Sequence, residues 1–331
     1  MFGSKSRLYG SVIVTYRCNA RCNMCNVWEH PTGSGEEIGP DVIKKLPRMS
    51  FCNVTGGEPF VRQDLPDIVA ILRQKADRIV ISTNGYFTDR ITDLCRRYPG
   101  TGIRISIEGL RGSNDAIRGI PQGFDRAWQT LLELRDMGMK DIGLAMTVQD
   151  SNAKDLTALY QLALGLGYEF ATAALHNSHY FHKRDNVIRN KEEVIKEFGK
   201  LITLLLKSKK PKDWFRAYFN YGLINYIRGK KRFLPCEMGQ DGFFLDPFGD
   251  VLACNGMDEK MPMGNLKDQT WEEIWDSPRA RDVRDKVKYC TRNCWMIGSA
   301  APAIRHHPMG PVAWVLANKL RVMFNKEIDL R

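Results

Sequence analysis

Three cysteines fall within eight residues, Cys18-Asn19-Ala20-Arg21-Cys22-Asn23-Met24-Cys25, directly after the apolar run Val12-Ile13-Val14. Three thiols this close cannot all pair as disulfides, and the spacing C-x3-C-x2-C suits a loop wrapped round one soft metal centre. Zinc would ask for a fourth ligand, for which His30 is the near candidate. A [4Fe-4S] cluster on three cysteines instead leaves one iron open, which makes the site reactive rather than structural. A second set comes late in the chain: Cys236, Cys254, Cys290 and Cys294. Four thiols saturate one [4Fe-4S] cluster, with four-coordinate zinc as the rival. Cys52, at the start of a strand, and Cys95, among Leu94, Arg96 and Arg97 on a helix, read as packing.

Thr55-Gly56-Gly57-Glu58-Pro59 follows the short apolar strand Phe51–Val54. Glycines there let a ligand approach the backbone and expose amide groups, and Glu58 supplies a negative charge for an ammonium. Together with the cysteine loop about thirty residues earlier, this stretch resembles the signature of the radical S-adenosylmethionine (SAM) superfamily. The family places an aromatic residue where this chain has Met24.

The resemblance implies two cofactors at the first cysteine loop: a [4Fe-4S] cluster on Cys18, Cys22 and Cys25, and SAM on the open iron. It also implies SAM contacts from the Met24 backbone (adenine), from Gly56, Gly57 and Glu58 (amino group), and from Ser106 (carboxylate or ribose), with Glu108 beside it. Arg118, in Asn114-Asp115-Ala116-Ile117-Arg118-Gly119, matches the arginine that pairs with the SAM carboxylate; Asn84 and Val148 are the candidates for ribose and adenine. The late set, Cys236-x12-Gly249-x4-Cys254 followed by Gly264-Asn265-Leu266 and Trp271–Trp275, resembles the SPASM/twitch extension of the same family. The full SPASM form needs about seven cysteines, so four imply the twitch form with one auxiliary [4Fe-4S] cluster on Cys236, Cys254, Cys290 and Cys294.

The elements that must position these groups alternate from the start. Strands are predicted at 8–15, 51–55, 78–82, 103–107, 142–148 and 168–175, with helices at 40–46, 64–72, 88–94, 124–137, 155–164 and 191–206 between and after them. Six β/α units point to an α/β fold, a partial (β/α)6 TIM barrel, with a small C-terminal β-hairpin/helix twitch (SPASM-like) extension. The cysteine loop, Gly56–Pro59, Ser82-Thr83-Asn84-Gly85 and Ser106-Ile107-Glu108-Gly109 each follow a strand, so all four share the carboxyl rim where such sheets bind ligands. The expected division is 1–205 barrel, 206–235 helical linker, 236–295 auxiliary cluster domain and 296–331 tail. The linker aromatics, Trp214 to Tyr226, read as core before they read as a cavity wall. The tail carries Val312, Val315, Leu316, Leu320 and Met323 at helical spacing; it is expected to dock on the barrel, with a basic amphipathic helix at a membrane surface as the alternative.

With 331 residues, 43% of them hydrophobic, the chain can bury a full core. No apolar run reaches the length of a spanning helix, and Met1-Phe2-Gly3-Ser4-Lys5 opens no signal-peptide core, which with nine cysteines indicates a reducing, cytoplasmic setting. The net charge of +11 comes with no nucleic-acid-binding motif, so no nucleic-acid partner is expected. Relatives that oxidise alcohols carry an acid after the second auxiliary cysteine; here Cys254 is followed by Asn255, which cannot take up a proton at neutral pH. Glu169, His176 and His179 are the catalytic candidates in its place, with Asp246 and Asp250 behind them. The resemblance then implies reductive cleavage of SAM to a 5′-deoxyadenosyl radical, driven by a donor such as flavodoxin or ferredoxin, and hydrogen abstraction from a substrate for its oxidation, epimerisation or rearrangement, an oxidoreductase or epimerase type of enzyme. A sugar- or aminoglycoside-like small molecule, either free or lipid-linked, is the first expectation, because the first strand starts by about residue 8 and leaves no room for a leader-binding domain. Modification of a ribosomally made peptide is the alternative. A passive iron–sulfur carrier or zinc scaffold is the third reading.

Overall fold

The computed structural model describes residues 8–331. The reading of residues 1–5 as lacking a signal-peptide core lies outside them. Short apolar strands alternate with amphipathic helices, as β-branched runs between helix-period segments dictate. The first half runs β1 (Tyr9–Ile13), α1 (Pro40–Lys44), β2 (Phe51–Thr55), α2 (Leu65–Lys75), β3 (Ile79–Thr83), α3 (Thr88–Arg97), β4 (Gly102–Ser106), α4 (Arg111–Arg118), α5 (Gly123–Asp136), β5 (Ile142–Val148), α6 (Leu156–Gly165) and β6 (Glu169–Ala174). Then come α7 (Lys191–Lys207), α8 (Pro211–Ile227), β7 (Gly242–Leu245), β8 (Asp250–Leu252), β9 (Pro262–Asn265), α9 (Trp271–Trp275), α10 (Pro278–Lys288), α11 (Ile297–His306) and α12 (Met309–Met323).

One sheet holds all the strands, in the order β6-β5-β4-β3-β2-β1-β7-β8-β9. Strands β1 to β6 pair in parallel with their sequence neighbours, the open, partial barrel that the alternation predicts. Val12, Val54, Ile81, Ile105 and Leu144 are fully buried in a core shared with Ile68, Leu72, Leu131 and Phe198 of the covering helices. The C-terminal hairpin, expected as a separate extension, is continuous with this sheet: β7 pairs in parallel with β1, Tyr9 opposite Gly242 and Val12 opposite Leu245, and β8 and β9 follow antiparallel. The carboxyl end of β7 therefore shares the rim with the carboxyl ends of β1 to β6.

The linker aromatics are core. Tyr218, Phe219 and Tyr221 are buried, Tyr221 stacks on Trp314 of α12 at 4.6 Å, and the Trp295 indole donates to Phe219 O. Helix α12 docks through Pro311, Val315, Asn318 and Val322 against α7 and α8. Among the described residues no helix is long and apolar enough to cross a membrane.

Candidate functional site

The first cysteine loop leaves β1 at the rim and is held from three sides. From α4, the last two carbonyls, which a helix end leaves unpaired, accept from the loop: Asn23 N to Ile117 O at 2.9 Å and Arg21 N to Arg118 O at 3.0 Å. Gly119 ends that helix in the left-handed region, φ +57°, and a Cβ there would stand 2.5 Å from Arg21 O. From the β2 end, Gly57 N donates to Thr15 O and Glu58 N to Arg17 O. Here the structure corrects the expectation of amides exposed for a ligand. These two serve the chain itself, and the two glycines are needed for packing, since a Cβ on Gly56 or Gly57 would come within 2.6 Å of Thr15 O or 2.3 Å of Arg17 O. The third side is the loop after β6, described below.

The thiols of this loop accept local donors, Ala20 N to Cys18 Sγ at 3.4 Å and Val27 N to Cys25 Sγ at 3.5 Å, and Arg118 Nη1 stands 3.8 Å from Cys22 Sγ. Burial pushes all three thiol pKa values up, those of Cys18 and Cys25 to about 12. Thiols so desolvated ionise only against a strong positive partner, as metal ligation provides. Two buried donors beside the loop, Asn19 Nδ2 and Arg118 Nε, have no hydrogen-bond partner among the described residues. Orphaned buried donors are costly unless a bound group satisfies them, so the residues present fit a cluster together with an anionic cofactor group.

The remaining sequence-predicted contacts divide. Glu108 is buried; its carboxylate takes Arg118 Nη2 and the Thr147 amide, both at 2.6 Å. Burial pushes this carboxyl's pKa up while the Arg118 charge pulls it down. Arg118 thus faces Glu108 as well as the thiols. Glu58 is also fully buried and accepts from Asn84 N, Thr83 Oγ1 and Phe60 N, so it ties the β2 rim to the β3 rim. Asn84 reaches the cysteine loop through Asn19 Oδ1 at 2.7 Å, and Ser106 is the half-buried last residue of β4. Met24 O is taken by Asn186 Nδ2 at 3.0 Å. Val148 is fully buried in the core with its carbonyl paired to Leu175 N, so it presents no surface to adenine.

The catalytic candidates also separate. Glu169 opens β6 at the amino end of the sheet, away from the rim, and sits among Arg104, Arg216 and Lys212. The structure removes it from the site: a residue at the start of a parallel strand faces the opposite end from the carboxyl rim. His176 and His179 lie in the loop after β6, with His176 Nδ1 3.0 Å from Ala174 O. A carbonyl only accepts, so Nδ1 carries the hydrogen and Nε2 is left as the basic atom. Burial lowers both histidine pKa values.

This loop, 176–186, is a strap between the two cysteine sets. Toward the first set, Asn26 N donates to Phe181 O, Asn186 Nδ2 to Met24 O, and Tyr180 OH to Gly56 O. Toward the second, His179 N donates to Met257 O, Arg184 to Asp258 O, and Arg292 Nη2 to Asn177 O. A groove of about 510 Å³ opens along it, lined by Asn26, His30, Ser178, His179, His182, Lys183, Arg184 and Asp185. His182 stacks on His30 at 4.4 Å and adopts a left-handed φ of +50°. The sequence singles out His176 and His179 but not His182; the three-residue spacing of the three histidines, followed by Lys183-Arg184, was the available signal.

The four late thiols line one cavity of about 390 Å³ with Arg232, Met257 and Arg292. Burial, and then the neighbouring thiols of Cys294, Cys236 and Cys290, push Cys254 up to about 12, and Gly256 N donates to Cys254 Sγ at 3.2 Å. Among the described residues no three Cys, His, Asp or Glu side chains converge tightly enough for a single ion. Four thiols on the wall of one cavity are a donor set that fits a thiolate-held [4Fe-4S] cluster.

A family profile described as the radical SAM superfamily matches residues 12–163, and one described as an iron-sulfur cluster-binding domain, SPASM, matches residues 236–295. The chain belongs to the radical SAM superfamily and carries a SPASM domain. This pair of domains implies SAM and two [4Fe-4S] clusters as cofactors. Among curated relatives, this radical SAM chain is 32% identical to the Fe-coproporphyrin III synthase of Methanosarcina barkeri over 45% of its own length and 39% of that protein's. It is 24% identical to the antilisterial bacteriocin subtilosin biosynthesis protein AlbA of Bacillus subtilis, over 82% of its length and 60% of AlbA's. Against the mycofactocin maturase MftC of Mycolicibacterium smegmatis the identity is 25%, over 82% and 71%. The chain thus spans less than two thirds of the first two of these relatives. Its fold matches the crystal structure of Streptococcus suis SuiB with a TM-score of 0.65 at 13% identity, over 85% of this chain and 68% of that one.

Proposed function

We propose that this radical SAM protein is an enzyme that modifies a peptide held in the groove along the strap. One observation carries the reading: residues 176–186 are hydrogen-bonded to the first cysteine loop on one side and to the Cys254–Lys260 loop on the other. A substrate along the strap lies beside the first cysteine loop, at Asn26 and His30, on a segment that is itself anchored to the second site. Among the described residues the groove's lining is Asn, Ser, His, Lys, Arg and Asp, with donors and acceptors throughout, which suits the amide groups of an extended peptide. AlbA and MftC, named for bacteriocin biosynthesis and maturation, align over 82% of this chain, and this favours the peptide alternative over the sugar-like substrate expected first.

When bound, the first cluster supplies the electron that cleaves SAM and so generates the radical that takes a hydrogen atom from the substrate. The chain's own part is positioning and shielding. Cys18, Cys22 and Cys25 would hold that cluster, and Arg118, with its unpartnered Nε, would meet the SAM carboxylate. Tyr16 and Tyr180, both buried, wall the loop from water. His179, whose ring lines the groove and whose pKa burial lowers, would take a proton released when the substrate is oxidised.

The test is anaerobic incubation of the cluster-loaded protein with SAM, dithionite and synthetic precursor peptides. The expected result is 5′-deoxyadenosine formation stimulated by peptide together with a defined mass change in that peptide. Formation of 5′-deoxyadenosine with every peptide left unchanged, while a sugar or tetrapyrrole is altered, would overturn the peptide assignment and leave the SAM chemistry standing.

A further inference from the structure

Helix α12 has two apolar faces. Pro311, Val315, Asn318 and Val322 dock on α7 and α8. At 3.6 residues per turn, Met309, Val312, Leu316, Leu320 and Met323 fall on the opposite, outward side. They are 85, 53, 57, 55 and 72% exposed, and Phe324 beyond them is 71% exposed. Five large apolar side chains in one unbroken stripe, with Ala313 and Ala317 exposed beside it and no charge within it, are unusual on a solvated helix, whose outer face is normally polar.

The surroundings of the stripe are cationic. From Trp295 to Lys326 the chain contains no Asp or Glu, while Arg305, Lys319, Arg321 and Lys326 fall in this span. Lys319 Nζ donates to Leu206 O at 2.8 Å and Ser208 O at 3.1 Å, which sets the α7–α8 turn beside the middle of α12. That turn adds Lys207, Lys209 and Lys210, all exposed.

We propose that the outward face of α12 docks on an anionic lipid surface, with Val312, Leu316, Leu320 and Met323 entering the headgroup boundary and the α7–α8 lysines meeting the lipid phosphates. The charge pattern selects this occupant. An apolar stripe rimmed by lysine and arginine is the pattern of a helix lying in the plane of a membrane interface. A second copy seated on the same face by a twofold axis would bring the two sets of cations together, at a cost. The contact is peripheral, and it stands independently of which substrate the groove takes.

The experiment is co-sedimentation of the cluster-loaded full chain with vesicles of phosphatidylcholine alone and of phosphatidylcholine mixed with phosphatidylglycerol. The expected result is binding to the mixed vesicles, weak binding to the neutral ones, and release at high salt. The double variant L316E/L320E, and separately K209Q/K210Q, should each weaken partitioning roughly tenfold or more. All four side chains are exposed, so unchanged thermal midpoints report an intact fold. The proposal is overturned if the wild-type chain ignores the anionic vesicles or if L316E/L320E binds them as the wild type does. It is equally overturned if, without lipid, the wild type sediments as a dimer that L316E/L320E converts to a monomer, because the face then belongs to a second copy.

Discussion

With Arg118 replaced by methionine, Glu108 keeps only the Thr147 amide on its carboxylate. Removing one partner of a buried ion pair costs about 3–5 kcal/mol, because the other charge is left without compensation. The cluster-free Arg118→Met protein should therefore unfold at clearly lower denaturant, and adding Glu108→Gln should recover part of the loss; equal midpoints for the single and double variants would show that the pair is not coupled. Gly57 carries a different constraint. An added methyl group would meet Arg17 O at 2.3 Å, so Gly57→Ala should cost about 1–3 kcal/mol in a denaturant titration before any ligand is considered. His182 predicts a pH effect. Burial lowers its pKa from 6.5 to about 4, with His30 and His179 adding to the shift. Between those values the unfolded chain takes up a proton that the folded chain refuses, so stability falls as pH drops from about 6.5 to about 4. Replacing His182 with glutamine should flatten the thermal midpoint across that window.

At the scale of elements, the strap is fixed by side-chain amides rather than by a ladder. Asn186 Nδ2 bridges Met24 O and His176 O, and Asn177 pairs with the Asn186 backbone through both ends of its amide. Asn186→Ala should speed hydrogen exchange through 176–186 and leave β1 to β5 protected; uniform protection in the variant would show that the strap is held elsewhere. Helix α8 depends on close approach. A Cβ on Gly222 would lie 2.1 Å from the Trp295 indole, which is itself fixed by its bond to Phe219 O, so Gly222→Ala forces the SPASM tail off the helix that carries it. Helix α4 was not read as a helix, because Arg-Gly-Ser-Asn-Asp-Ala-Ile-Arg is built from turn formers. Its C-terminal carbonyls are satisfied by the amides of the cysteine loop, a tertiary contact about a hundred residues away that no local pattern contains.

At the scale of the whole molecule, β1 lies between β2 and β7 and is bonded on both edges. A chain ended at residue 235 would bare the β7-facing edge of β1 and the core that Phe243 and Leu245 cover, so it should aggregate where the full chain stays dispersed on size exclusion. The barrel strands were legible because Ile79-Val80-Ile81 and Ile103-Arg104-Ile105 are short β-branched runs closed by turn residues, and the thiols were legible because cysteine spacing is itself a statement about chemistry. Two features were not legible. The joining of β7 to β1 is a long-range pairing that periodicity does not encode, and Glu169 gave no sign of which strand end it occupied until β6 was bounded. The double bonding of β1 has a consequence for biosynthesis. Tyr9 meets Gly242, 233 residues further on (242 − 9), and at about 5–20 residues per second a ribosome needs roughly 12–47 seconds to cover that distance. For that interval the nascent barrel is missing one flank, so slower translation or a bound chaperone decides how many chains reach the finished sheet.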